Sequence, residues 1–288
     1  MRVGYAALAL TTVLALVPVL AASGRGVPRC PAGALPLGAR CCGRGQTLAD
    51  GACVGAPTAC AEGLDRRPDG CVAREGRIAV GRGASSWRPP DDQVGSAGET
   101  ARTGAFAIDR VEVTWERWRR CVGAGACPAL GAAGGDAGQA AHGVTLAESR
   151  AFCRWAGGRV PTDAEWLRVA LGDVETRYPW GDPDALCLRA AYGLVDGPCA
   201  AGARGPDTAG GRPWGATPLG VLDLAGNVAE WVDDDAPPGF GVVRGGSYVE
   251  QDASALRARW RRVIAVEARL PWVGLRCAYD LPADDPSH

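Results

Sequence analysis

Twelve cysteines in 288 residues constrain this chain more than any apolar run does. Six of them lie between 30 and 71 as three units, Cys30–Cys41, Cys42–Cys53 and Cys60–Cys71, the two members of each being eleven positions apart. Each unit opens as C-x-x-G, with Gly33, Gly45 and Gly63 at the fourth place. Units this short have almost no apolar side chains to bury, so they need a covalent staple. One bridge inside each unit is the simplest pairing, although six cysteines allow fifteen connectivities. Zinc is the weaker reading, because its ligand pairs come as C-x₂₋₄-C and no histidine lies nearby. Residues 23–76 are therefore expected to form a small disulfide-rich stalk or interaction module.

An even, high cysteine count suits an oxidising compartment, and the N-terminus agrees. Arg2 precedes an apolar run from Val3 to about Ala22, with the small residues Ala21, Ala22 and Ser23 at a cleavage point. Residues 1–22 read as a signal peptide. The run is also long enough to span a bilayer as an uncleaved anchor. It ends in small residues rather than a charged stop, so cleavage is the expected outcome, and the cleaved protein is not integral to a membrane. In VPRC, the first later cysteine lacks the small residue that a lipoprotein signal places before it. Either way the rest of the chain lies outside the cytoplasm, in the periplasm, on the cell surface or beyond it. A net charge of −1 and a pI near 6.2 give no global reason to expect nucleic acid or an anionic membrane as partner.

From about 77 the pattern changes. Arg77–Val80 reads as a strand, and 81–104, rich in Gly, Ser and Pro, as a long surface loop or a poorly ordered stretch. Phe106–Val113 alternates apolar and polar residues and reads as a strand. A short helix follows near 115–121, with Thr114 as its candidate N-cap. The Gly/Ala-rich segment 122–142 reads as a loop closed by Cys121–Cys127. Thr145-x-x-Glu148 and Thr162-x-x-Glu165 fit the capping box that opens a helix, with Gly157-Gly158 and Gly172 as stops. Beyond 172 only short strands between Gly, Pro and Asp turns are legible. An architecture so poor in regular structure leans on bridges, ions and the packing of its ten tryptophans.

Five segments occur in order along this region: FAIDRVEVT (106–114), CRWAGGRVPTDAEW (153–166), YPWG (178–181), GVLDLAGNVAEW (220–231) and RGGSY (244–248), and GLRCA (274–278) closes the series. Together they resemble the formylglycine-generating enzyme family, also called sulfatase-modifying factors, over roughly residues 77–280. The resemblance implies an α+β, C-type-lectin-like domain with much irregular backbone over 77–282, followed by a short tail, 283–288. It also implies a Cys153–Cys277 bridge, and Cys187–Cys199 would then close a local loop and leave no free thiol. Catalytic relatives are expected to hold Cu(I) between two thiolates just after RGGS and to convert a substrate cysteine to an aldehyde. Here Glu250 and Ala255 stand at those positions, and Trp260 stands at a third family cysteine. Thiolate selects Cu(I) whereas carboxylate prefers hard ions, so copper is not expected. The related iron-dependent sulfoxide synthases use histidine ligands, and this chain has only His142 and His288.

The same resemblance implies a structural calcium ion, held by side-chain oxygens of Asp223 and Glu230 and the carbonyls of Gly226 and Val228. The alternative is that the two carboxylates only accept hydrogen bonds from turn amides. A second family calcium site falls near Ala190-Ala191, where an expected Asn is missing. Leu256, Ala258 and Trp260 alternate with Arg257, Arg259 and Arg261, a period of two that puts the arginines on one strand face. In the family this region borders a groove for an extended peptide. The ligand expected here is an extended peptide or another carboxylate-bearing molecule. Arg257 and Arg259 would grip it, with Tyr248 and Trp272 as apolar walls and Glu250 beside them. The alternative is a solvated face pairing with Asp233, Asp234 and Asp235. The resulting expectation is an exported, non-catalytic binding or scaffolding protein. The alternative is an active oxidase that makes formylglycine in exported sulfatase-like substrates.

Overall fold

The computed structural model describes residues 34–37, 40–49, 52–56, 58–59, 64–67, 70–73, 76–87, 99–130, 134–173 and 175–281. The expected signal over 1–22, the tail and the side chains of the six N-terminal cysteines lie outside the described residues, and so do the three bridges expected among them. The backbone of this region is regular, however. Each cysteine unit contains one antiparallel hairpin: β1 (Ala34–Leu37) with β2 (Arg40–Gly43), β3 (Thr47–Ala49) with β4 (Ala52–Val54), and β5 (Leu64–Arg67) with β6 (Gly70–Ala73). The closing cysteine of each unit sits on the second strand, with Cys41 opposite Pro36, Cys53 opposite Leu48 and Cys71 opposite Arg66. Among the described residues no helix is long and apolar enough to cross a membrane.

The main domain has a three-stranded antiparallel sheet in which β10 (Phe106–Asp109) lies between β7 (Arg77–Val80) and β15 (Ala278–Asp280). The last strand thus joins the sheet of the first, the two lying on opposite sides of β10. All four residues of β10 are buried, although the segment alternates apolar and polar residues. Phe106 and Ile108 pack with Trp166, while Ala107 packs with Trp118, so both faces are covered. Asp109 accepts hydrogen bonds from the Tyr279 hydroxyl at 2.9 Å and the Cys277 amide at 3.0 Å, and Arg117 lies 3.1 Å away. The strand also stops at Asp109, short of the expected Val113. The segment 81–104, expected as a loop, contains a hairpin, β8 (Gly83–Trp87) with β9 (Glu99–Thr103), packed against the third helix.

Three helices form where the capping signals predict. In α1 (Trp115–Gly123) the Thr114 side chain accepts from the Arg117 amide. In α2 (Leu146–Trp155) and α3 (Asp163–Leu171) both reciprocal capping boxes are complete. Gly172, at φ 67°, ends α3. Helix α1 lays Trp118 flat against Phe152 of α2, the ring centroids being 5.5 Å apart. A four-stranded sheet completes the domain in the order β13 (Arg261–Ala265), β12 (Phe240–Arg244), β11 (Ala229–Val232), β14 (Val273–Gly274). The strand expected from Leu256 begins only at Arg261, because Ala253–Leu256 forms a 3₁₀ turn and a second turn follows, closed by the Trp260 amide donating to the Arg257 carbonyl at 2.8 Å.

Disulfides join Cys121–Cys127, Cys153–Cys277 and Cys187–Cys199. The second ties α2 to the chain entering β15 across 124 residues, whereas the third closes only 12. Loop-closure entropy then ranks their contributions at about 5 and about 3 kcal/mol. Replacing both cysteines of each pair by serine should lower the unfolding free energy in that order in denaturant titrations, and equal losses would contradict the ranking.

Candidate functional site

The turn before β11 carries the most buried charge in the domain. Glu230 and Arg276 are both fully buried and meet through two bonds, Nη2 to Oε1 at 2.6 Å and Nε to Oε2 at 2.7 Å. Trp166 donates its indole N–H to Oε2 at 2.7 Å, and Arg276 also reaches the carbonyls of Asp109 at 3.0 Å and Leu222 at 2.7 Å. The backbone reaches this geometry through Asp223 and Asn227, both at φ 58°, and Gly226 at φ 84°. A Cβ on Gly226 would lie 2.4 Å from the Ala191 carbonyl. Glu112 accepts from the Val228 amide at 3.0 Å and from the Asn227 side chain, pinning the turn to the segment after β10. Asp223 accepts from the Gly210 amide.

Glu112, Asp223 and Glu230 all feel the charge of Arg276, and Asp223 also that of Arg212. Burial, with the nearby charges of Asp223 and Glu230, holds the Glu112 carboxyl well above the usual carboxylate range. Burial pushes Asp223 up to about 6. The four oxygens expected to bind calcium do not form a set that fits the ion. Glu230 has both oxygens engaged by Arg276 and Trp166, and the guanidinium already supplies a positive charge there. The expected shell of Asp223, Glu230, two carbonyls and water therefore loses Glu230, which is held in a buried ion pair instead.

These observations fix two outcomes. Glu230→Gln leaves Arg276 buried beside a neutral partner and should cost about 3–5 kcal/mol, measured by denaturant unfolding, while chelator should leave the melting temperature of the wild-type protein unchanged. A marked fall under chelation would restore calcium to the turn. Asp223 takes up a proton more readily folded than unfolded, so its contribution is complete below about pH 4 and lost as pH rises through about 6. Asp223→Asn should therefore gain on the wild type by on the order of 2 kcal/mol between pH 4 and 7, and a constant difference would contradict this.

The two positions after RGGSY are held by that motif. Arg244 pairs with Asp163 at the start of α3 and donates to the Arg259 carbonyl at 3.1 Å. Gly246, at φ 65°, would place a Cβ 2.5 Å from the Ala255 carbonyl, so only glycine lets the two segments close. Ala255 is 6% exposed and offers a methyl group. Glu250 lies 3.6 Å from Arg262 as an ion pair, with Oε1 buried and lacking a hydrogen-bond partner. Arg262 in turn sits between two indoles, 5.0 Å from the Trp260 ring and 5.1 Å from the Trp272 ring.

The groove expected from sequence divides in two. Glu250 and Trp272 belong to the Arg262 cluster just described. Tyr248 is 4% exposed and packs with Ala191 and Leu194, so it is a core residue rather than a groove wall. Arg257 and Arg259 instead join Glu175, Thr176 and Arg177 around a cavity of about 280 Å³. Arg261, expected on the same face, pairs with Asp234 at 2.7 Å. The cavity is built by a hydrogen bond from the Ala258 amide to the Arg177 carbonyl, 3.0 Å long. The neighbouring YPWG turn fixes Arg177, since Asp182 accepts from the Arg177 amide at 2.9 Å and Tyr178 stacks on Trp180. Arg259 Nε lies 3.5 Å from Glu175, and its Nη1 is buried without a hydrogen-bond partner. A buried donor left so costs about 1–3 kcal/mol. Arg177 and Arg262 escaped sequence reading. Arg177's only local signal is its place directly before a Tyr-Pro-Trp-Gly turn.

The family model for the sulfatase-modifying factor enzyme 1-like domain matches residues 62–281. Among curated proteins, a hercynine oxygenase of Mycolicibacterium thermoresistibile is 30% identical over 165 residues, covering 48% of this chain and 35% of that protein. A formylglycine-generating enzyme of Streptomyces coelicolor is 32% identical over 164 residues, 48% of this chain and 51% of its own length. The inactive Cα-formylglycine-generating enzyme 2 of Bos taurus is 32% identical over 151 residues, 47% of this chain and 48% of its own. The chain thus spans from about a third to about half of the length of these relatives. PvdO from Pseudomonas aeruginosa shares the fold with a TM-score of 0.58 at 21% identity, over 71% of this chain and 94% of that structure. The match of the family model over most of the chain places the protein in the formylglycine-generating enzyme (sulfatase-modifying factor) family.

Proposed function

We propose that this protein is an exported member of the family that binds a ligand or a partner protein and has no oxidase activity. The observation that carries this reading is the chemistry at the two positions after RGGSY. Copper(I) chemistry needs a pair of soft thiolates. Glu250 is a hard carboxylate engaged by Arg262, and Ala255 has no donor atom at all. Among the described residues no free thiol stands in for them, every cysteine whose side chain is described being in a disulfide. An iron centre of histidines lacks its ligands as well: the sequence holds two histidines, and His142 is engaged with the Ala140 carbonyl at 3.0 Å. The inactive bovine relative is a precedent for loss of activity within the family. Export is supported by the N-terminal apolar run and by the three bridges of the domain.

What the site does chemically follows from its own residues. Arg262 presents a planar cation within cation–π reach of two indoles. Glu250 holds it from one side. The cluster offers charge and aromatic rings, which suits recognition of a ligand.

The test is a conversion assay. Oxidatively folded protein is incubated aerobically with Cu(I) and a Cys-x-Pro-x-Arg peptide, and the product is followed by mass spectrometry. The peptide should remain unchanged. Loss of its thiol with gain of an aldehyde would overturn the reading.

A further inference from the structure

The geometry points to the Arg177–Arg257–Arg259 cavity as a binding site for a compact dianionic group, such as a phosphoryl or sulfate group or two adjacent carboxylates. This deepens the binding function proposed above, which it takes as given. Three guanidinium groups and one carboxylate, Glu175, line the space. Among the described residues, the side chains of Arg177 and Arg257 make no hydrogen bond or ion pair. The charge of Arg257 is felt by Asp252, which lies outside the lining. Arg259 is only half satisfied, with Nε near Glu175 and Nη1 buried and idle. The lining therefore carries an excess of two positive charges, one more than a monocarboxylate neutralises.

Size and shape narrow the occupant further. At about 280 Å³ the cavity sits below the range of drug-sized sites, so it takes one charged group rather than a whole large ligand. Arginine forks bind planar or tetrahedral oxyanions in bidentate fashion. The arginines come from two segments, 175–177 and 257–259, locked together by the bond from the Ala258 amide to the Arg177 carbonyl. They are preorganised by the backbone and not by one another, since like charges repel. Glu175 acts as an internal competitor that occupies part of Arg259 until an external anion displaces it.

Isothermal titration of the full oxidised protein at low ionic strength tests this with four probes: inorganic phosphate, inorganic sulfate, succinate and acetate. One equivalent of at least one dianion should bind, and acetate should bind at least ~10-fold more weakly. A preference for succinate assigns the site to paired carboxylates, and a preference for phosphate or sulfate assigns it to a tetrahedral group. Arg257→Ala, at an exposed position, should weaken the dianion at least ~10-fold. Glu175→Gln should tighten it by roughly threefold, a gain that loose surface attraction does not give. Equal binding of acetate and dianions, or full affinity in Arg257→Ala, would overturn the proposal. The peptide assay separates the two readings. Aldehyde formation would defeat the non-oxidase reading with the anion data intact, whereas failed anion binding would defeat only the pocket.

Discussion

The contact between Glu230 and Arg276 is the constraint on which the domain is arranged. Each partner is fully buried, and each belongs to a different motif, one on β11 and the other just before β15. A charge so buried is tolerated only with a well-placed partner and filled hydrogen-bonding capacity. Trp166 of α3 and the carbonyls of Asp109 and Leu222 complete that requirement. One ion pair therefore draws together both sheets, α3 and the 223–230 turn. Glu112 adds a fifth element by holding the turn's amide and asparagine. The family motifs, read this way, are the parts of one buried polar network set in apolar packing.

Around this fixed centre the surface is free to change. Arg244 and the glycines of RGGSY position the segment from 247 to 260 through backbone contacts and one ion pair, none of which involves the side chains at 250 and 255. On the function proposed above, a carboxylate and a methyl group at these two positions leave those contacts untouched. The same segment then carries Arg257 and Arg259 to the cavity beside Arg177. A fold held by a buried pair and one long-range bridge can keep its shape while the side chains at its surface differ, which is how function comes to live in sites grafted on folds.

Much of this was legible in the sequence, and the remainder was not for definable reasons. Thr145 and Thr162 announced their helices because capping is local chemistry with a four-residue signature. Disulfides 121–127 and 187–199 close short loops, so proximity along the chain was informative. The environment of Glu230 was not readable, since its partner lies 46 residues away and identical residue types serve a calcium turn or an ion pair. The burial of both faces of β10 was not readable because alternation reports residue polarity, while Asp109 is polar and buried by Tyr279 and Arg117. Tyr248 looked like a groove wall because a single aromatic carries no sign of which way it faces. Arg177 was missed because its role depends on a segment some eighty positions later in the chain.

The central claim is that the family scaffold is kept here without its copper centre. Copper(I) retention against a competing chelator tests this most directly, applied to the wild-type protein and to the double variant Glu250→Cys/Ala255→Cys. The wild type should surrender all copper, and the variant, with two soft ligands on the intact scaffold, should hold about one equivalent. One equivalent retained by the wild-type protein would contradict the account.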